Sequence, residues 1–161
     1  MKTRLITFFT TLLMAGSILS AAHHANSEAS CADAIIGHYF ATQETLAADN
    51  FEAAIATAKV LSATQEDSDC SKDISKAAQA ILKSSDIKEA RKAFKALSDL
   101  VIPLVESDGI KSTQAHLVYC PMAFEFTGAS WLQKDKAVAN PYFGSEMFAC
   151  GAVKDSFGES K

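Results

Sequence analysis

The sequence has no excess of basic residues. Its 15 lysine and arginine residues are outnumbered by 19 aspartate and glutamate residues, which gives a formal net charge of −4 at pH 7. Nucleic-acid-binding proteins concentrate lysine and arginine in a patch or stripe, and segments that bind anionic membranes need a cluster of them. Because neither pattern is present, we expect no nucleic-acid partner and no polybasic membrane-binding segment.

The sequence also lacks the short motifs of common enzyme classes. It contains no GxSxG, no HExxH and no glycine-rich phosphate-binding loop. No internal repeat, low-complexity tract or interdomain linker is present either. We therefore expect one domain without enzymatic activity.

The N-terminus has the composition of a secretory signal peptide. A lysine and an arginine precede an apolar run over residues 5–19, and small residues follow at 20–22. Threonine and glycine interrupt the run and no stop-transfer charges follow it, which argues against a retained membrane anchor. The sequence predicts a signal peptide over residues 1–22 and one periplasmic or secreted domain over 23–161, with no stable membrane insertion after cleavage.

Four cysteines follow the predicted cleavage site. An exported protein meets an oxidising compartment, which favours disulfides. Cys31 and Cys70 lie in the first half of the chain without sulfur-bearing neighbours, and we predict a disulfide between them that stabilises the fold by about 4 kcal/mol in the chain-entropy model. This pairing leaves Cys120 and Cys150 as a second pair, either oxidised or held by a metal ion.

Hydrophobic periodicity predicts helices through the first two thirds of the chain. The first begins at Cys31, and Asn50 is placed to cap the second. A shorter helix is expected over Ile74 to Leu82, and the longest begins after Asp86 and ends at Gly109.

The chain changes character after Ile110, where turn residues become frequent. The stretch from His116 to Tyr119 suits a short extended piece, and Trp131 with Leu132 suits one helical turn at most. We therefore predict an all-α fold, an up-and-down bundle of about four helices with a loop-rich C-terminal metal-binding region.

Two sulfur-bearing doublets lie in this C-terminal region. Cys120 and Met122 flank Pro121, and in an extended segment their side chains would point the same way. Met147 and Cys150 are three residues apart, which places them on one face of a helical turn. Because thiolates and thioethers select Cu(I) over harder ions, one interpretation is a soft-metal site. The other is a Cys120–Cys150 disulfide beside two methionines that fill the core.

The histidines are weaker candidates for metal ligands. His23 and His24 lie at the predicted mature terminus, where they suit either a Cu(II) chelate or a solvated pair. His116 lies four residues before Cys120 and suits either an auxiliary ligand or a surface residue.

The C-terminal region contains the motifs VYCPMA at 118–123, GASWL at 128–132, NPYFG at 140–144, and Met147 with Cys150-Gly151. Together with residues 39–49 and 93–98 upstream, these motifs resemble the DUF3347 family, which occurs as exported proteins and as domains appended to efflux adaptors of the CusB type. The similarity extends from about residue 33 to residue 155. The family is helical and associated with copper or related soft metals, so the resemblance implies metal binding. Cys31 and Cys70 are not part of the family motif, which fits a local disulfide.

Residues and resemblance together predict a periplasmic Cu(I)-binding protein with Cys120, Met122, Met147 and Cys150 as ligands. It would act as a metallochaperone in copper tolerance, buffering or delivery to an efflux adaptor or copper acceptor protein, with Ag(I) or Cu(II) as alternative metals. Two other functions stay open: a disulfide-stabilised structural or interaction module without metal, and a thiol–disulfide redox protein that uses Cys120 and Cys150.

Overall fold

The computed structural model describes residues 30–64 and 72–158. The predicted signal peptide, His23, His24 and Cys70 lie outside the described residues. The signal peptide, the domain bounds and the Cys31–Cys70 disulfide therefore stay predictions. Within the two described ranges, none of the helices combines the length and the apolar character needed to cross a membrane.

Four long helices form the first part of the fold. They are α1 (Cys31–Ala47), α2 (Phe51–Thr64), α3 (Lys72–Leu82) and α4 (Ile87–Asp108). Each helix packs against the next, and α4 packs back against α1. The predicted helices are confirmed, with ends close to the expected residues.

Local side-chain caps explain where the helices begin. Asn50 accepts a hydrogen bond from the Ala53 amide at 3.0 Å at the start of α2. At the start of α4, Asp86 accepts from the Glu89 amide at 2.8 Å, and the Glu89 carboxylate accepts from the Ser85 amide at 2.8 Å. Such caps satisfy backbone donors that no helical carbonyl can reach.

A three-stranded antiparallel sheet follows the helices. Its strands are β1 (Ala115–Cys120), β2 (Ala129–Gln133) and β3 (Ala152–Phe157), in the order β2-β1-β3. A short turn, α5 (Ala123–Phe126), connects β1 to β2, and a 3₁₀ turn at Gly144–Glu146 precedes β3. β2 packs against α4 and α1, whereas β3 forms the exposed edge.

The predicted all-α fold class is wrong, because the described residues contain this sheet. The extended piece predicted over His116 to Tyr119 is confirmed as part of β1, but Trp131 and Leu132 lie in β2 and not in a helical turn. β2 is buried along most of its length and β3 is exposed along most of its length, so neither shows the alternating pattern of a half-buried strand.

The ring of Tyr142 joins the helices to the sheet. Its centroid lies 6.1 Å from that of Phe94 in α4, 5.1 Å from that of Phe124 and 5.6 Å from that of Trp131 in β2. Phe94 in turn lies 5.0 Å from Tyr39 in α1. This aromatic cluster fixes the C-terminal region against the bundle, since large buried rings dominate core packing.

Candidate functional site

A cleft of about 670 Å³ opens beside the end of β1. One wall comes from the end of β1 and the turn after it, and the other from the segment that leads into β3. The cleft is lined by Tyr119, Pro121, Met122, Met147, Phe148, Ala149, Cys150, Gly151, Ala152 and Lys154. Three of the four predicted sulfur ligands therefore line one surface.

The fourth, Cys120, is fully buried next to this cleft. Both Cys120 and Cys150 are free thiols, and they lie close enough for Cys120 to change the pKa of Cys150. Burial raises the pKa of the Cys150 thiol to about 11, and the neighbouring Cys120 thiol acts in the same direction. The structure thus brings together all four sulfur-bearing residues that the sequence singled out.

The local backbone of the doublets differs from the prediction. Cys120 ends β1, but Met122 already lies in a turn with φ −90° and ψ −12°, so the first doublet is not an extended segment. Met147 has φ −145° and ψ 54°, and the Cys150 amide donates to its carbonyl at 2.9 Å. Met147 and Cys150 are therefore connected by a tight hydrogen-bonded turn and not by a turn of α-helix.

A left-handed turn follows the first doublet. Phe124, Glu125 and Phe126 have φ values of 52°, 56° and 64°, a conformation that costs about 1–2 kcal/mol for each residue with a side chain. The Gly128 amide closes the turn by donating to the Ala123 carbonyl at 2.9 Å. Strain of this kind persists only where the surroundings hold it, and it gathers at functional sites.

Asn140 holds the second doublet in place. Its side-chain oxygen accepts from the amides of Tyr142 at 2.8 Å and Phe143 at 3.1 Å, and its side-chain nitrogen donates to the Cys150 carbonyl at 2.7 Å. Its backbone amide donates to the Phe148 carbonyl at 2.8 Å. Because Asn140 is fully buried, it sets the position of Cys150 opposite Cys120.

An ion pair connects the same loop to the helices. Arg91 in α4 donates to the Pro141 carbonyl at 3.0 Å and pairs with Asp49 at 2.5 Å, and Asp49 accepts from the Ser145 amide at 2.9 Å. The hydrogen bonds from Ser145, followed by the guanidinium of Arg91, lower the pKa of Asp49 from 3.8 to about 2.

We expect this pair to make stability depend on pH in the acid range. A carboxylate with a lowered pKa stabilises the folded state above its unfolded pKa, and this contribution is lost as pH falls from about 4 to about 2. Urea unfolding of the natural protein and of Asp49→Asn should therefore differ at pH 5 and converge near pH 2. A difference that stays constant over this range would contradict the expectation.

His116 does not belong to the cleft. Its side chain is buried, and Nδ1 lies 2.8 Å from the Ser156 hydroxyl, toward the opposite end of β1 from Cys120. Burial lowers the pKa of His116, and the charge of Lys136 acts in the same direction. The structure therefore does not bring His116 together with the sulfur residues, and it is not a surface residue either.

The described residues contain no group of three or more His, Cys, Asp or Glu side chains that could hold a metal ion. Instead, one thiol and two thioethers line the cleft, and the second thiol, of Cys120, is buried beside Cys150. Methionine thioethers are ligands for soft ions such as Cu(I).

Sequence reasoning missed the residues that support the site. The sequence patterns indicate no supporting role for Asn140 or Asp49. Their contacts join residues up to 96 positions apart, so no local pattern revealed them. The NPYFG string was the one available signal, because it is among the motifs that resemble the family.

The comparisons with known proteins support the family prediction. A family model described as "Protein of unknown function (DUF3347)" matches residues 35–113. This range covers nearly all of the four long helices and ends before β1, so the sulfur-bearing motifs lie outside it. No curated protein and no solved structure matches the chain. The four-helix part of the chain therefore matches the DUF3347 family, as the sequence resemblance predicts.

Proposed function

We propose that this protein binds Cu(I) through Cys120, Met122, Met147 and Cys150, and that it serves copper tolerance, buffering or delivery in the periplasm. The observation that supports this proposal is the convergence of the four sulfur side chains, three on one cleft and the fourth in contact with Cys150. The proposal covers Cu(I) as cargo, and Ag(I) is the natural alternative because it has the same charge and similar softness.

The two kinds of sulfur have different tasks in such a site. The two thiols must lose their protons to bind, so uptake of one Cu(I) releases protons and becomes stronger as pH rises. The thioethers are neutral and bind at any pH. Because Cys150 lies on the cleft wall and Cys120 lies behind it, the metal would enter from the cleft and reach the buried thiol last.

A thiol–disulfide redox function is the second candidate, supported by the contact between the two thiols. The raised pKa of Cys150, about 11, argues against it. The attacking species in disulfide exchange is the thiolate, and a thiol with this pKa holds its proton at neutral pH. Its partner Cys120 is fully buried, which restricts attack by another protein.

Competition for Cu(I) tests the proposed function. Reduced protein titrated against a Cu(I) chelator should bind one ion, and Cys120→Ser should abolish this binding. Met147→Leu keeps the side-chain volume but removes a ligand. Loss of a residue that only supports a ligand weakens metal affinity by about 10- to 100-fold, so Met147→Leu should weaken Cu(I) affinity by at least this factor.

His116→Gln is the matched control for that titration. It removes a metal-ligating side chain from β1, yet His116 lies away from the cleft, so Cu(I) affinity should not change. Failure of the reduced natural protein to take up Cu(I), or full affinity in Cys120→Ser, would refute the proposal. Rapid exchange of a Cys120–Cys150 disulfide with a thioredoxin-like partner would favour the redox function.

A further inference from the structure

The cleft is larger than a metal ion needs. Its volume of about 670 Å³ falls in the range of about 300–1,000 Å³ that is typical of sites for small organic ligands. A metal ion bound to the sulfurs would occupy only a small part of this volume. The remaining wall is formed by apolar groups, mainly Tyr119, Pro121, Phe148 and Ala149.

One charged side chain lies on this wall. Among the described residues that line the cleft, Lys154 alone carries a formal charge. Leu117 pairs with Asp155 and Val118 pairs with Val153, so Lys154 is the extra residue of a β-bulge.

The bulge brings the Lys154 ammonium over the cleft. Its nitrogen lies 5.9 Å from the centroid of the Tyr119 ring, another lining residue. β-Bulges next to functional sites commonly redirect a side chain in this way. The cleft therefore offers the Cys150 thiol with Cys120 buried behind it, an apolar wall and one cation, which is complementary to an anionic ligand that carries a soft group.

We infer that the cleft takes Cu(I) as its complex with a small thiol that carries carboxylate groups, and that Lys154 recognises the carboxylates. This inference rests on the proposed function and names the form in which the metal arrives. The carrier's methylene groups would lie against Tyr119 and Phe148, and its carboxylates would approach the Lys154 ammonium.

The transfer step is a ligand exchange without change of oxidation state. Two bonds between Cu(I) and carrier sulfurs break, and two bonds form from Cu(I) to the sulfurs of Cys120 and Cys150. The proton from each protein thiol passes to a departing carrier thiolate, so the carrier leaves as two neutral thiol groups. Copper remains Cu(I) throughout, and no oxidant or reductant is needed.

Transfer rates from three carriers of different charge test the inference. Cu(I) is supplied at low ionic strength as its complex with mercaptosuccinate, 2-mercaptoethanol or cysteamine, and uptake is followed by metal analysis after rapid desalting. For each carrier the rate of Lys154→Gln is divided by that of the natural protein, which cancels the intrinsic affinity of the carrier for copper. Lys154→Gln should slow transfer from mercaptosuccinate about two- to fivefold, which is the effect expected from the loss of one exposed ion pair. It should leave transfer from the uncharged carrier 2-mercaptoethanol unchanged.

Two further measurements make the result specific. Lys154→Glu should speed transfer from cysteamine, and all these differences should vanish near 0.5 M salt, where the screening length is only a few ångströms. Lys134→Gln is the matched control, because Lys134 lines a different groove beside α1 and should have no effect.

Equal rate ratios for the three carriers, or the same effect in Lys134→Gln, would overturn the role of Lys154 while Cu(I) binding itself stands. Absence of uptake by the natural protein from every carrier would overturn the proposed function, and this inference with it.

Discussion

Asn140→Asp should destabilise the fold and weaken Cu(I) binding, although it changes one side-chain group for another of the same shape. The carboxylate still accepts hydrogen bonds from the amides of Tyr142 and Phe143, but it cannot donate to the Cys150 carbonyl. Leaving a buried acceptor without a donor costs about 1–3 kcal/mol. Because the lost bond is the one to Cys150, the Cys150 thiol should also be held less firmly opposite Cys120, and Cu(I) affinity should fall.

The pH dependence of Asn140→Asp should identify the lost donor. Burial should raise the pKa of the introduced acid, because it disfavours the charged form. Once protonated, the carboxyl can donate to the Cys150 carbonyl. The stability difference from the natural protein should therefore be smallest at acid pH and grow as pH rises toward neutrality. Urea unfolding across pH 4 to 8 measures this trend, and a difference independent of pH would contradict the explanation.

Gln43→Glu is the matched control for Asn140→Asp. Gln43 is also a buried amide, and it donates to the Ala139 carbonyl at 2.6 Å, one residue before Asn140. The substitution should destabilise the fold similarly, but the hydrogen bond that it removes goes to Ala139 and not to the Met147–Cys150 segment. Cu(I) affinity, measured by chelator competition under folded conditions, should fall in Asn140→Asp and persist in Gln43→Glu. Equal losses of affinity would show that Asn140 acts only through overall stability.

Trp131→Ala should cause the largest loss of stability of any single substitution proposed here. Trp131 is fully buried, donates to the Gln133 side-chain oxygen at 3.0 Å and meets Tyr142 edge-to-face at 5.6 Å. Replacing a buried tryptophan by alanine costs about 3–5 kcal/mol. This is a large fraction of the 5–15 kcal/mol that holds a domain of ordinary stability together.

The stability of Trp131→Ala can be measured by urea unfolding followed by far-UV circular dichroism. Trp131→Phe retains an aromatic ring in the cluster and should cost less, so the order of the two variants is testable even if the alanine variant does not fold. Leu100→Ala is the control, because Leu100 lies in α4 and is 39% exposed, and such surface positions usually change stability by less than about 0.5 kcal/mol. A Trp131→Ala protein as stable as Leu100→Ala would refute the role of the aromatic cluster.

Trp131 also bears on the cleft. A Cβ added to Gly151 would lie 2.9 Å from the tip of the indole, and Gly151 has φ +141°. The residue after Cys150 is thus a glycine because the backbone passes directly over Trp131. The buried ring forms the support on which the cleft wall rests.

The family match and the sulfur site lie in different parts of the chain. Residues 35–113 form the helices, and the cleft is built from residues 119–154. Arg91 and Tyr142 connect the two parts, since Arg91 binds the Pro141 carbonyl and Tyr142 packs against Phe94. In the proposed function the helices are the rigid support, and the sheet and its connecting loops carry the ligands.

The amino-acid sequence by itself determined the helices and the candidate ligands. Helical periodicity and caps such as Asn50 and Asp86 act over a few residues, so the sequence alone is enough to identify them. The two sulfur doublets were recognised from side-chain chemistry alone, and the structure brings them together with a local backbone different from the predicted one.

Only the tertiary structure decided the sheet, the cleft and the surroundings of the thiols. β1 pairs with β3 across more than 30 residues, and a strand that is wholly buried or wholly exposed carries no alternating signal. The bulge at Lys154 and the contact between Cys120 and Cys150 join residues at least 30 positions apart, and the bond from Asn140 to Cys150 spans ten. Long-range pairing and packing set these contacts, and no local preference of the chain encodes them.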